Sequence, residues 1–360
     1  SSRNSRLTFL RLEQHRDPPF RVTSLLLFTS KLCMLITLLA CVLVTAKNYI
    51  GENIRCITGF EKQEHKAIET YCFIASTFTM VNLNAEVAAH PGVGPIRVPP
   101  TVAGESGDGE KRVHAYYQWV PMVLVLQAVV YYFPIWLWKR IDRGFFETII
   151  CHLDKVHIGD VSNNIQSSVK FFASSFSTHR SYAVSFFLCE CAAFAISVGN
   201  LFFTNTFLGG EFFQFGPAAL KYFNTNATDN SNPLNEIFPK VAKCTWHKFG
   251  ASGTIQTHDS MCVLPLNIVN EKTYIFLWVV YIFTAAICGV LLLLHLILIL
   301  VPGVRNAYLI YRARKHETKV NLQYLLPKCD YGDWFLLLHF RSNMVYFHEW
   351  VALARAEVQK

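Results

Sequence analysis

The chain has 360 residues, of which 52% are hydrophobic and only 16% charged, with a mean hydropathy of +0.27. Soluble domains carry about 25% charged residues, so this composition excludes an ordinary soluble protein and points to an all-α polytopic membrane protein. A net charge of +8 would suit nucleic-acid binding only if the basic residues gathered on one face, and their distribution along the chain argues against that.

Residues 1–27 form a basic N-terminal segment, with Arg3, Arg6, Arg11, Arg16 and Arg21 against Glu13 and Asp17. Residues 28–46 follow as the first transmembrane span. A Lys at a helix centre costs about 3 kcal/mol on the insertion scale, and each Leu or Ile returns about 0.5. The apolar neighbours therefore offset Lys31, which can snorkel from near the helix end. Residues 47–115 read as a long polar loop carrying Cys56 and Cys72, then two turn-rich pieces, Pro91-Gly92-Val93-Gly94-Pro95 and Gly104-Glu105-Ser106-Gly107-Asp108-Gly109. Neither has the strand–helix setting of a phosphate loop or the ligand spacing of a calcium loop.

The second span, residues 116–138, opens at Tyr116-Tyr117-Gln118-Trp119-Val120-Pro121 and closes at Trp136-Leu137-Trp138-Lys139-Arg140. About 20 apolar residues match the hydrocarbon core of a bilayer, and aromatic clusters at both ends suit the headgroup level. Residues 139–180 are mixed and partly amphipathic, which predicts short helices. Residues 181–207 form a third span with Glu190 inside it. Residues 208–272 are a second long loop with Cys244 and Cys262, residues 273–301 a fourth span, and residues 302–360 a basic tail with helical patterning near Trp334–Phe340 and Tyr346–Val358.

Four spans place both termini and the middle segment on one side. Residues 1–27, 139–180 and 302–360 together hold 20 Lys and Arg against 11 Asp and Glu, whereas the two long loops hold 12 against 13. Lys and Arg are retained on the cytoplasmic side, so the termini are expected inside and the loops outside. Topology thus accounts for the basicity, and no nucleic-acid partner is expected.

Of the eleven cysteines, only Cys56, Cys72, Cys244 and Cys262 then face an oxidising compartment where disulfides persist. Partners must bring their Cα atoms within about 7 Å, so they should stand at equal height above the membrane. Cys56 and Cys262 lie close to the flanking spans, Cys72 and Cys244 farther along their loops. Nested pairing, Cys56–Cys262 and Cys72–Cys244, fits best and would staple both loops into one extracellular layer. A zinc site using His247 or His258 lacks any CxxC spacing. Between Cys244 and Cys262 the pattern reads strand, turn, strand, with Gly250-Ala251-Ser252-Gly253 as the turn. Asn226-Ala227-Thr228 is a glycosylation sequon in the same loop.

Several of these stretches resemble the innexin family, the invertebrate gap-junction proteins. Tyr116-Tyr117-Gln118-Trp119-Val120 is similar to that family's second-span signature. The likeness extends to Tyr49-Ile50-Gly51, to Tyr71-Cys72, to Lys243-Cys244-Thr245, and to the run from Cys262 through Pro265-Leu266-Asn267-Ile268-Val269-Asn270-Glu271-Lys272. Gly332-Asp333-Trp334-Phe335 in the tail also looks familial. The match is closest to insect-type members, and a viral homologue would carry the same motifs. Residues 1–27 depart from the family's usual leader.

The resemblance implies an oligomeric large-pore channel in the plasma membrane, built as an octameric hemichannel and docking through its outer loops with a hemichannel on the adjacent cell. It implies ions and small solutes as cargo, homo-oligomers or hetero-oligomers with other innexins, and a pore lined by the N-terminal segment and first span. The fold expected is a four-transmembrane-helix bundle subunit with a small disulfide-stapled extracellular β layer and a helical cytoplasmic domain. No nucleophile elbow, metal cluster or phosphate loop is visible, so no cofactor and no enzymatic activity are expected. The alternatives are an undocked hemichannel releasing small metabolites and a pore-less four-span adhesion protein. Glu190 is expected to pair inside the bundle rather than line the pore, because an intramembrane charge must avoid lipid.

Overall fold

A computed structural model describes residues 24–59, 62–80, 111–150, 161–224, 233–235, 237–313, 315–344 and 346–359. Residues 1–23, both turn-rich pieces of the first loop and the sequon at Asn226 lie outside these.

In chain order the elements are α1 (Leu25–Ile50), β1 (Arg55–Ile57), α2 (Lys62–Ala75), β2 (Thr77–Met80), β3 (Lys111–His114), α3 (Val120–Asp142), α4 (Phe145–Ile150), α5 (Val161–Ser174) and α6 (Arg180–Phe207). After them come α7 (Phe212–Asn224), β4 (Val241–Phe249), β5 (Ile255–Val263), α8 (Pro265–Leu300), α9 (Pro302–Arg312), α10 (His316–Leu325), α11 (Tyr331–Asn343) and α12 (Phe347–Val358). Helices α1, α3, α6 and α8 are long and apolar enough to cross a membrane. The chain is a mostly helical four-span membrane protein with one small antiparallel sheet.

The end of α3 shows how a span is finished. Lys139 and Arg140 occupy its last turn, where cations oppose the negative end of the helix dipole. The Arg140 guanidinium lies 5.5 Å from the Trp136 ring and the Lys139 ammonium 5.9 Å from the Tyr132 ring. At the other end of the chain's first span, Lys31 sits exposed in the second turn of α1, where a long side chain can reach an interface.

The described chain divides into two compact units. One comprises the described residues within 24–31, 132–195 and 286–359. Its core is aromatic, with Phe146, Phe172, Phe186, Trp334, Phe335, Phe340 and Trp350 all at 2% exposure or less. The Gly332-Asp333-Trp334-Phe335 stretch organises it. Asp330 and Asp333 form a capping box at the start of α11, satisfying backbone donors that a helix N-terminus otherwise leaves open. Asp333 also accepts from His179 Nδ1 at 3.0 Å and from the Ser177 amide at 3.1 Å. Trp334 Nε1 donates to the Arg305 carbonyl at 3.0 Å. Gly332 has no room for a side chain: a Cβ there would lie 2.3 Å from the His179 carbonyl carbon.

The other unit comprises the described residues within 32–131 and 196–285. It holds the five-stranded sheet, with strand order β1-β5-β4-β2-β3, and two helices inside stretches that read as loops in the sequence. Helix α2 is too polar overall to stand out as an apolar run, yet it buries Ile68 and Cys72. Helix α7 buries Phe212, Phe215 and Ala219. Gly216 lets α7 approach α8 closely, since a Cβ there would lie 2.2 Å from the Trp278 indole. Helix α8 begins at Pro265 rather than Thr273. Its first turns bury Asn267, Asn270 and Glu271 completely, polar residues that in sequence look like loop.

Candidate functional site

The sheet unit gathers most of the residues that the sequence singles out. Strands β4 and β5 form a hairpin in which Cys244 faces Ser260 and Trp246 faces His258. Alternation along β4 sends Ala242, Cys244 and Trp246 to the buried face, as a period of two requires. The turn is closed by the Gly250 amide donating to the Thr254 carbonyl at 2.8 Å, with Gly253 at φ +78°, a backbone conformation that glycine adopts without steric cost. Cross-strand side chains tie the hairpin further. Trp246 Nε1 donates to Ser260 Oγ at 2.9 Å, and the Trp246 ring stacks on His258 at 4.9 Å. Thr245 Oγ1 donates to Asp259 Oδ1 at 2.7 Å.

Two disulfides fasten this hairpin to the first half of the chain. Cys56 on β1 is the direct antiparallel partner of Cys262 on β5, and the two are bonded with Cα atoms 3.9 Å apart. Cys72 on α2 is bonded to Cys244 on β4 across 5.8 Å. All four are buried and share one apolar cluster with Ile54, Ile68, Tyr117, Ala242, Trp246, Leu264 and Leu266. The sulfurs of Cys56, Cys72 and Cys262 lie within 4.8 Å of one another. Because each is consumed in a disulfide, none offers the thiolate that a metal would need.

The second-span signature lies against the same cluster. Tyr116–Gln118 form a 3₁₀ turn at the head of α3. Tyr117 is buried, and its hydroxyl donates to the Phe73 carbonyl at 3.3 Å while its ring lies 5.3 Å from that of Phe73. Gln118 Nε2 donates to the same carbonyl at 2.5 Å. Both therefore satisfy a carbonyl in the last turn of α2, the helix that carries Cys72, which a helix end leaves without an internal partner. Tyr116 packs edge-on against Phe238 at 5.5 Å. Val120 is fully buried, whereas Trp119 is 58% exposed. The signature is a clasp between α2 and α3, with Trp119 as its outward aromatic residue.

His114 lies at the end of β3, 2% exposed, with its Nε2 2.8 Å from Thr79 Oγ1. Burial lowers its pKa to about 4, and the nearby Arg112 charge pushes it the same way. Arg112 pairs in turn with Glu211 at 2.7 Å. Sequence reasoning missed His114, because a histidine beside a Lys-Arg pair reads as surface until the strand places it inward.

Glu190 is in the helical unit, 3% exposed, and its carboxylate is hydrogen-bonded to His295 Nδ1. His295 Nε2 continues the chain to the Tyr331 hydroxyl at 2.9 Å. His295 was not visible as a partner in sequence, since it lies 105 residues away on α8. Lys31 is exposed and is not brought to this group.

Comparison with known proteins adds a further finding. The family model described as Innexin matches residues 26–352. Innexin inx3 of Drosophila melanogaster is 38% identical over 327 residues, covering 90% of this chain and 78% of that protein. Innexin inx2 of Schistocerca americana is 36% identical over 320 residues, covering 87% and 86%. Innexin shaking-B of Drosophila melanogaster is 32% identical over 309 residues, covering 84% and 80%.

Proposed function

The chain belongs to the innexin family, and we infer from that premise that it is a gap-junction channel subunit acting in the plasma membrane. The observation that carries this reading is the family match, which runs from the first span to the last helix and includes both disulfides. A channel subunit passes ions and small solutes down their gradients, so the work asked of this chain is to span, to assemble and to dock.

In this reading the termini and residues 139–180 are cytoplasmic, and the loops that carry the sheet, residues 47–115 and 208–272, are extracellular. The excess of Lys and Arg on one side supports that orientation. Eight subunits assemble into a hemichannel whose pore is lined by the N-terminal segment and α1. Two hemichannels on adjacent cells meet through these outer loops, and hetero-oligomers with other innexins use the same surfaces. The hairpin tip supports this docking role: Phe249 and Ile255 face each other across the strands and are 74% and 66% exposed. Paired large apolar residues at the end of a disulfide-braced hairpin suit an interface more than free solvent.

A second reading is an undocked hemichannel releasing small metabolites, favoured by the sequon at Asn226, where a glycan would obstruct docking. Dye transfer between paired expressing cells separates the two. The junction reading expects transfer well above that of control cells. Dye uptake by single cells without transfer between neighbours would favour the undocked form.

A further inference from the structure

Helix α9 follows α8 after one residue and carries Arg305 at the end of its first turn. Arg305 is only 8% exposed, and its Nε is buried with no hydrogen-bond partner. Among the described residues no carboxylate pairs with its guanidinium. Trp334 holds the Arg305 carbonyl, and Leu309 packs fully buried one turn on, so the helix face that carries Arg305 is fixed against the core. Cys329 and Tyr331 are among the polar neighbours that feel its charge. Burial pushes the Cys329 thiol up to about 12, with Asp333 adding to the rise and Arg305 opposing it. Burial likewise raises the Tyr331 hydroxyl. Both are neutral near pH 7 and offer the guanidinium no counter-charge. Asp333 is engaged by His179 and Ser177.

A guanidinium withdrawn from water without a counter-charge costs several kcal/mol, and its planar fork of donors matches the oxygens of a phosphate. A side chain on a helix leans toward the N-terminus, which here is the end adjoining the fourth span. That end is apolar and open: Leu300, Val301 and Val304 are 68%, 44% and 46% exposed. The first turn of α9 contains no acidic residue, and its N-cap, Val301, supplies no side-chain bond. An anion arriving here would find a cation and uncapped backbone amides beside a surface suited to acyl chains.

We propose that Arg305 anchors a phosphate site at the membrane boundary, occupied by the headgroup phosphate of a phospholipid. The proposal rests on α8 being a membrane span and not on docking or conduction. The apolar flank favours a lipid over free phosphate, because a free anion gains nothing from Leu300, Val301 and Val304.

The test uses delipidated, detergent-purified oligomer and native mass spectrometry, with phosphatidic acid, diacylglycerol of the same chains and inorganic phosphate as probes. Wild-type protein is expected to bind phosphatidic acid at least about tenfold more tightly than diacylglycerol, a difference of about 1.4 kcal/mol. Arg305→Met should abolish that preference, and Arg305→Lys should retain part of it. A wild-type protein that does not distinguish the two lipids overturns the proposal, whatever the variants do. Phosphate-specific binding lost in Arg305→Met without any lipid preference would overturn the lipid assignment. A lipid preference kept intact while Arg305→Met falls apart into monomers would overturn it in favour of a carboxylate from a neighbouring subunit. These readouts need no paired cells, so their failure and a failure of the channel reading are seen separately.

Discussion

Removing the inner disulfide gives the sharpest quantitative test of how the sheet unit holds together. The double substitution Cys72→Ser/Cys244→Ser breaks the bridge without leaving a thiol to mispair. The two bridges close sequence separations of 206 and 172 residues. Because they are nested, loss of the inner one with the outer intact frees a loop set by their difference, 34 residues, not the full span. Chain-entropy arithmetic for such a loop gives about 4 kcal/mol at 25 °C. What would still hold α2 is its apolar face, the hydrogen bonds from Tyr117 and Gln118 to the Phe73 carbonyl, and the Lys248–Glu64 ion pair. That pair is 39% and 45% exposed and is worth under about 1 kcal/mol. The opening of α2 should therefore become roughly a thousandfold more frequent, since each 1.4 kcal/mol is tenfold. Hydrogen–deuterium exchange on protein in lipid nanodiscs reads this directly. Amides of Lys62–Ala75 should exchange far faster in the variant while those of α11 stay as in wild type. Unchanged exchange in α2 would refute the claim that the bridge, rather than packing, secures that helix.

Three further substitutions probe other parts of the account. Gly332→Ala places a Cβ 2.3 Å from the His179 carbonyl carbon and 2.4 Å from the Arg180 amide nitrogen, so backbone must move; the expected cost is about 2–3 kcal/mol, and a melting temperature equal to wild type would show that the close approach is not real. Glu190→Ala leaves His295 Nδ1 without its hydrogen-bond partner and should cost about 1–3 kcal/mol, again read by thermal melting of the purified oligomer. His114 has a folded pKa of about 4 against an ordinary value of 6.5, so between those values the unfolded chain binds a proton that the folded chain refuses. Its contribution is at its most favourable above pH 6.5 and declines as the pH falls toward 4, by about 3 kcal/mol in total. His114→Gln should flatten that part of the stability–pH profile, and a profile of unchanged slope would remove His114 as its cause.

What was legible in the sequence follows from which forces leave a pattern. A membrane span needs about 20 apolar residues whatever its neighbours, so the spans at residues 28–46 and 116–138 announce themselves. The hairpin around Gly250–Gly253 was readable because turn residues and alternation are local signals. Helices α2 and α7 were not, since each is anchored by a few long-range contacts, Cys72 to Cys244 and Gly216 to Trp278, rather than by a continuous apolar run. The start of α8 was missed for the opposite reason: Asn267, Asn270 and Glu271 are polar yet fully buried, and polarity alone argues for a loop. Likewise, Tyr116–Val120 could be recognised as a signature without revealing that Tyr117 and Gln118 clasp the end of α2. That requires knowing where Phe73 lies. The isolation of Arg305 is a property of its surroundings, which no spacing in the chain encodes.

The central claim, that this chain forms channels joining two cells, is met most directly by recording junctional conductance between two cells that each express it. The account predicts a conductance with discrete large steps, present only when both cells carry the protein, and abolished by Cys72→Ser/Cys244→Ser. Protein present at the contact between such cells without any conductance above that of control pairs would contradict it.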